Sequence, residues 1–415
     1  MSGRRVVVTG IGMVTPLGVG VEENWRAACE GRTGAGPITR FDASDHACQI
    51  ACEVADFRPE EFMDRKATRR MDRVQQMAVA AARMAVADAG LSDDELGAWA
   101  GATIATGNGG NESYEENFRA LRERGPGRMS PLAVPSAIPS MAAGQVSMHL
   151  GLGGPLGVPI TACASGTHAM GDAAESVRSG EVRVMLAGGT ESGVTPFCMA
   201  ALDATRALSR RNDDPTAASR PFDIDRDGFV AAEGAAILVL EDAEVAAARG
   251  AEPYCELAGY GASADAYHLT EPDPSLRGQV AAMREAMRTG GLDPEEIDYV
   301  NAHGTSTPTG DGVEVGAIRQ ALGDAHAART AVSSTKSMHG HGMGAAGGFE
   351  AALTALAIRD GVIPPTINLD RLDPDCAGVD HVVGTSRRAR VRAALSNSFG
   401  FGGHNAVIAM TEVER

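Results

Sequence analysis

Val158-Pro-Ile-Thr-Ala-Cys163-Ala-Ser-Gly166 is the stretch on which the fold turns. An apolar, strand-like run stops at Cys163. Small residues follow it: Ala164, Ser165, Gly166, Thr167, Ala169, Gly171, Ala173 and Ala174. A helix of small side chains can lie deep in a fold with other backbone close on every side. The stretch therefore predicts a strand, a sharp turn and a buried helix. A cysteine at such a turn sits at a helix N-terminus, where free N–H groups and the macrodipole favour the thiolate. That makes Cys163 a candidate nucleophile. Taken alone, the same residue reads more readily as a buried core cysteine.

Outward from this turn, strands and helices alternate. Strands are expected at 6–9, 102–106, 182–187 and 235–240, with a long helix over 72–89 and, after the last strand, a helix over 243–249. The pattern then begins again, with a strand near 254–260, a helix over 279–288, a strand at 299–302 and a helix over 312–322. A small-residue helix at 345–358 and strands at 392–395 and 406–410 complete it. Such alternation predicts α/β architecture with mainly parallel sheets. Each half has a turn feeding a helix of small residues, at Cys163 in the first and at 342–348 in the second. This suggests a duplicated unit, with halves at 1–252 and 253–415. Val8-Thr-Gly10-Ile-Gly12 follows a strand as a dinucleotide fingerprint would, but the third glycine is missing and Pro16 stands where the helix should open.

The chain has 415 residues, 44% hydrophobic and 22% charged, enough for two core-bearing units of an ordinary soluble protein. No apolar run reaches about 18 residues, so no membrane span is expected. The N-terminus leads straight into the first strand, which predicts no signal peptide. Seven scattered cysteines argue against a disulfide framework and for a reducing cytoplasm. A formal net charge of −17 argues against nucleic-acid binding. One segment runs the other way, Arg65-Lys66-Ala-Thr-Arg69-Arg70-Met-Asp-Arg73. It is either a docking patch for an acidic partner or a solvated helix start paired with nearby carboxylates.

Three further motifs carry chemistry. They are Asn301-Ala-His303-Gly-Thr305-Ser-Thr307-Pro, Ser333-Ser-Thr-Lys336-Ser-Met-His339-Gly-His341 with Glu350 beyond it, and Asn397-Ser-Phe399-Gly-Phe401-Gly-Gly403-His404. Singly, His303 reads as a core histidine, His339 and His341 as surface groups or metal ligands, and the glycine-phenylalanine run as a tight turn. Together with Cys163 they supply a nucleophile, two histidines, a lysine and a flexible loop.

With these motifs the chain resembles the β-ketoacyl-[acyl-carrier-protein] synthases, synthase II in particular, condensing enzymes of the thiolase superfamily. Thr161-Ala-Cys163-Ala-Ser-Gly, His303-Gly-Thr-Ser-Thr-Pro, Lys336-Ser-Met-x-Gly-His341 and Asn397-Ser-Phe-Gly-Phe-Gly-Gly agree with the family in order and spacing. So does Ser219-Arg-Pro-Phe-Asp223-x-Asp225-Arg-Asp-Gly-Phe229. His404, in place of a frequent threonine, also occurs in actinobacterial relatives.

The resemblance implies duplicated thiolase-like halves forming a five-layered αβαβα core. It implies an acyltransferase that performs a decarboxylative Claisen condensation in type II fatty-acid elongation. Cys163 would carry the acyl group, with its own N–H and that of Phe401 as the oxyanion hole. His303 and His341 would stabilise the malonyl enolate, and Lys336 and Glu350 would pair behind them. Thr305 and Thr307 would hold the pantetheine arm, and Phe401 would gate the acyl pocket. Lys66, Arg69, Arg70, Arg128 and Arg206 fall at carrier-protein docking positions. No metal and no cofactor is implied beyond the arm of acyl carrier protein.

The stretch 109–117 departs from synthase II. It is polar, and Tyr114 stands where an aliphatic residue would end the acyl pocket. An alternative is therefore the ketosynthase subunit of a type II polyketide system, and a third is a non-catalytic partner subunit. The expected assembly is a homodimer, or a heterodimer with a chain-length factor.

Overall fold

The computed structural model describes residues 3–97 and 99–413 of the chain. Its first strand, β1 (Val6–Thr15), runs straight through the glycines that interrupt the sequence pattern. β2 (Gly101–Ala105), β3 (Leu156–Gly157), β4 (Val184–Glu191) and β5 (Gly234–Asp242) complete the first half. The second half contains β6 (Cys255–Ala264), β7 (Tyr299–Asn301), β8 (Ala331–Ser333), β9 (Asp380–His381), β10 (Ala393–Gly400) and β11 (His404–Thr411).

In space the first five strands lie in the order β3-β2-β4-β5-β1, and the second set in the order β8-β7-β10-β11-β6, with β9 outside β8. Directions repeat as well. The first two pairings of each set are parallel and the next two antiparallel. The sheet is thus mixed, not mainly parallel. β10 and β11 show one reason, since only residues 401–403 join them, far too few for a parallel crossover. The two sets meet where β1 pairs with β6 over just Val7–Glu256 and Val8–Cys255.

Six helices position the site: α1 (Arg73–Asp88), α2 (Met141–Leu150), α3 (Ser165–Arg178), α4 (Arg277–Gly290), α5 (Gly310–Leu322) and α6 (Ala346–Asp360). α1 and α2 cover the first set of strands, and α4, with α5 packed on it, covers the second. α3 and α6 lie between, each touching strands of both halves, which gives the αβαβα layering. Their small residues are what allow this. A Cβ on Gly166 would stand 2.9 Å from the Gly348 nitrogen, and one on Gly347 would overlap Thr167. Met170 and Val177 of α3 share one core with Phe349, Leu353 and Leu356 of α6. Burying each such side chain is worth roughly 1.5–3 kcal/mol.

Gly10 and Gly12 serve packing, not nucleotide binding. A Cβ at either would overlap the carbonyl oxygen of Ala85 or Ala81 on α1. The second half repeats the device, because Cβ atoms at Gly259 and Gly261 of β6 would overlap the carbonyls of Ala286 and Ala282 on α4. No helix among the described residues is long and apolar enough to cross a membrane.

Candidate active site

The strand expected to lead into Cys163 is only β3. Residues 158–161 are irregular, since Pro159 has no N–H to continue the ladder. A 3₁₀ turn, Ala162–Ala164, then runs into α3, with Ala162 at φ 52°. β10 ends against this turn at Gly400, where a Cβ would stand 2.7 Å from the Thr161 oxygen and 3.1 Å from the Cys163 nitrogen. That approach brings the Phe401 N–H to the Cys163 sulfur, which its own N–H also reaches. The thiol is nevertheless not a resting thiolate. Burial pushes it up to about 11, although the Lys336 charge and the two N–H groups pull the other way. The helix N-terminus does not overcome desolvation here.

His303 follows β7. Glu314 on α5 accepts hydrogen bonds from the N–H groups of His303 and Gly304, both at 2.7 Å, and from Asn397 Nδ2 at 3.0 Å. Burial raises this carboxyl to about 7. His341 is placed by its N–H, which donates to the Val230 carbonyl at 2.7 Å, and by the Phe229 ring, 5.1 Å away and edge-on. The two imidazoles meet edge to face with centroids 5.4 Å apart. Ligating atoms of Cys163, His303 and His341 all lie within 4.8 Å of one another. Burial first, and then the Lys336 charge, holds both histidines well below the ordinary value, so each is a neutral ring with one N–H to offer. Metal-bound histidines normally have the second ring nitrogen hydrogen-bonded. Among the described residues neither nitrogen of His341, nor Nδ1 of His303, has a partner, so the trio does not fit a metal centre.

Lys336 opens a short helical turn and pairs with Glu350 of α6; both are fully buried. Burial lifts Glu350 to about 7 while Lys336 pulls it down. His339 turns away from the trio, toward Thr335 Oγ1 at 3.0 Å and the Gly340 carbonyl at 2.8 Å, which rules out its sharing a metal with His341. A cavity of about 320 Å³ opens over Cys163, His303 and His341. Thr305 and Thr307 line it with hydroxyls 3.1 Å apart, and so do Phe401 and Arg206.

The sequence motifs thus come together at one cavity. Lys66, Arg69 and Arg70 lie at or just beyond the short helix Arg65–Thr68. Like Arg128 and Arg206, they form no ion pair among the described residues, whereas Arg73, the last cation of the same segment, pairs with Glu233 at 2.8 Å. Tyr114 lies on the helix Asn111–Arg124, 44% exposed and outside the cavity of the single chain. Glu314 escaped the sequence reading. Its only signal is its place one turn after Asp311, on the helix that begins just beyond the His303 loop.

Residues 3–246 and 254–370 match the N-terminal and C-terminal domains of β-ketoacyl synthase. The chain belongs to the β-ketoacyl synthase family. A 3-oxoacyl-[acyl-carrier-protein] synthase 2 from Synechocystis is 50% identical over 412 residues, covering 99% of each chain. Another from Coxiella burnetii is 47% identical over the whole of both. A β-ketoacyl synthase from Burkholderia phymatum superposes with a TM-score of 0.92 at 37% identity, covering 99% of this chain and all of that one. A type II polyketide ketosynthase, solved in complex with its acyl carrier protein, does so with a TM-score of 0.91 at 34% identity, again covering 99% and 100%.

Proposed function

We propose that this β-ketoacyl synthase elongates acyl chains on acyl carrier protein in type II fatty-acid synthesis. The observation that carries the reading is the convergence of Cys163, His303 and His341 within 4.8 Å, at the floor of one cavity. Cys163 Sγ attacks an acyl thioester. The S–C bond forms, the carrier's thiol leaves with the cysteine proton, and the N–H groups of Cys163 and Phe401 hold the oxyanion. A malonyl thioester then binds with its carbonyl oxygen toward His303 and His341. Carbon dioxide leaves, and its bonding pair becomes an enolate held by one N–H from each ring. The enolate carbon attacks the acyl carbonyl, a C–C bond forms, and the C–S bond to Cys163 breaks. Lys336 and Glu350 are positioning residues; burial first, and then the lysine charge, keeps both imidazoles neutral, each with one N–H left to donate.

Thr305 and Thr307 take the pantetheine arm. Lys66, Arg69, Arg70, Arg128 and Arg206 dock the acidic carrier protein, a role that suits cations without carboxylate partners. Phe401 gates the acyl pocket, flanked by Gly400 and by Gly402 at φ 80°. Tyr114 ends that pocket at a homodimer interface. It shares an exposed face with Phe118 and Leu121, spaced as one helical stripe that a second copy would bury. The reaction so written draws on no cofactor beyond the carrier's arm. Seven free cysteines suit a reducing compartment such as the cytoplasm. The polyketide alternative rests on solved neighbours at 34–39% identity, below the 46–50% of the synthase 2 relatives.

Intact-protein mass spectrometry tests the reading. Wild type should gain one acyl group from acyl-carrier protein, and Cys163→Ala none. His303→Ala should still be acylated while losing malonyl decarboxylation by at least about 100-fold. Undiminished acylation of Cys163→Ala would sink the proposal.

A further inference from the structure

Gln279 stands third in α4 and lines the cavity over Cys163, yet the mechanism above gives it nothing to do. It is only 3% exposed, its Oε1 is shielded and without a hydrogen-bond partner, and its side chain makes no hydrogen bond among the described residues. Buried carboxamides are nearly always satisfied, and an orphaned one in a native fold calls for a reason. Packing alone does not supply it, because its neighbours on the helix are Val280, Ala282 and Met283, and an apolar residue would fill the place at lower entropy cost.

The surroundings hold Gln279 in position. Ser263 Oγ donates to the Gly278 carbonyl at 2.6 Å, and a Cβ on Gly278 would overlap Asp265, which accepts from Asn405 Nδ2 at 2.6 Å. The first turn of α4 is therefore fixed against the cavity wall. One turn on, Met283 Sδ accepts from Asn397 Nδ2 at 3.8 Å, and the same nitrogen donates to Glu314, the carboxyl that holds His303. Gln279 thus faces the cavity from the scaffold of His303.

We infer that Gln279 is a substrate-binding residue that pairs with an amide of the thioester-bearing arm. A carboxamide presents a donor and an acceptor in one plane. That is the complement of a secondary amide, whose N–H and C=O sit in one plane too. It does not complement a carboxylate, which has no donor for Oε1, or a hydrocarbon chain. The inference rests on the condensing-enzyme reading, since that reading brings an amide-bearing arm into this cavity.

The test compares Gln279→Met, close in volume and apolar, with wild type on two acyl donors. One is an acyl-pantetheine thioester. The other is a simple alkyl thioester of the same acyl group, which has no amide. Gln279→Met should lose about tenfold more kcat/KM on the pantetheine thioester than on the alkyl thioester, the worth of one hydrogen bond, with the loss in KM. Thermal stability should hold or rise, because an unpaired polar group has been removed from the interior. Equal losses on the two donors, or no loss on either, would overturn the inference alone. A wild type that neither donor nor acyl-carrier protein acylates would overturn the condensing-enzyme reading and this inference with it.

Discussion

The turns that open α3 and α6 are built alike and used differently. Ala162-Cys163-Ala164 and Met343-Gly344-Ala345 are both 3₁₀ turns whose first residue has positive φ, 52° and 47°. Each feeds a buried helix of small residues. At the second position the first half carries a sulfur that faces the cavity. The second half carries a glycine whose N–H donates to Glu191 Oε2 at 3.1 Å. The exchange runs the other way two residues beyond β2 and β7. There the second half places His303, and the first places Gly107, whose N–H also donates to Glu191, at 2.6 Å. Buried carboxyls raised to about 7, Glu191 and Glu314, brace the two loops. One scaffold thus occurs twice, and each copy gives up chemistry where the other supplies it.

Gly344→Ala should break this arrangement most severely. The new Cβ would overlap the Gly107 nitrogen, so the two loops could not meet. We expect a loss above about 3 kcal/mol, read as little soluble protein or a steep fall in Tm, while Cys163→Ala at the matching position leaves Tm within a few degrees. A well-folded Gly344→Ala would show that the two turns do not share a packing constraint.

A second, smaller contrast separates the two carboxyls. Glu191 Oε1 faces the Thr106 hydroxyl at 3.3 Å, which can accept as well as donate. Glu191→Gln should therefore cost less than about 1 kcal/mol. Glu314 meets donors at both oxygens, so in Glu314→Gln an amide N–H must face another donor. A loss of about 1–3 kcal/mol should follow, together with reduced decarboxylation. Both groups titrate higher folded than unfolded, so wild-type stability should fall as pH rises from about 4.5 to about 7. Each glutamine variant should flatten part of that slope in urea titrations.

The last contrast concerns the thiol of the first half, where stability is untouched and only reactivity changes. With burial setting Cys163 near 11, its alkylation by iodoacetamide should climb about tenfold per pH unit between 7 and 10. A plateau near neutrality would mean that the imidazoles or Lys336 of the second half lower the thiol more than desolvation raises it.

The groups gathered at and behind the cavity were legible in the sequence because each sits in a motif of unusual residues. Cys163, His303, Lys336, His341 and Phe401 could be named without knowing how they meet. Long helices such as α1 were legible too, because Val74, Met77, Ala78, Ala81 and Met84 fall on one face; the Asp72 side chain that caps it is seen only in the structure. The sequence pattern ends β1 at Thr9, six residues early, because the glycines of Val8-Thr-Gly10-Ile-Gly12 imitate the end of a strand in a dinucleotide fingerprint; only the α1 backbone across from them shows why glycine is needed within a strand. Glu191, Glu314 and Gln279 were missed for another reason. A charged or amide residue inside a helical or strand pattern reads as a solvent face until the neighbouring layer is known. Burial also set the protonation of Cys163, and no local motif encodes burial.

The sandwiching of α3 and α6 between both sets of strands has a consequence for synthesis on the ribosome. The first half cannot close its core until α6, ending at Asp360, has been made. At about 5–20 residues per second, the apolar inner face of the first sheet and of α3 waits on the order of ten seconds or more for its cover. A nascent chain held in that state is a natural client for a chaperone.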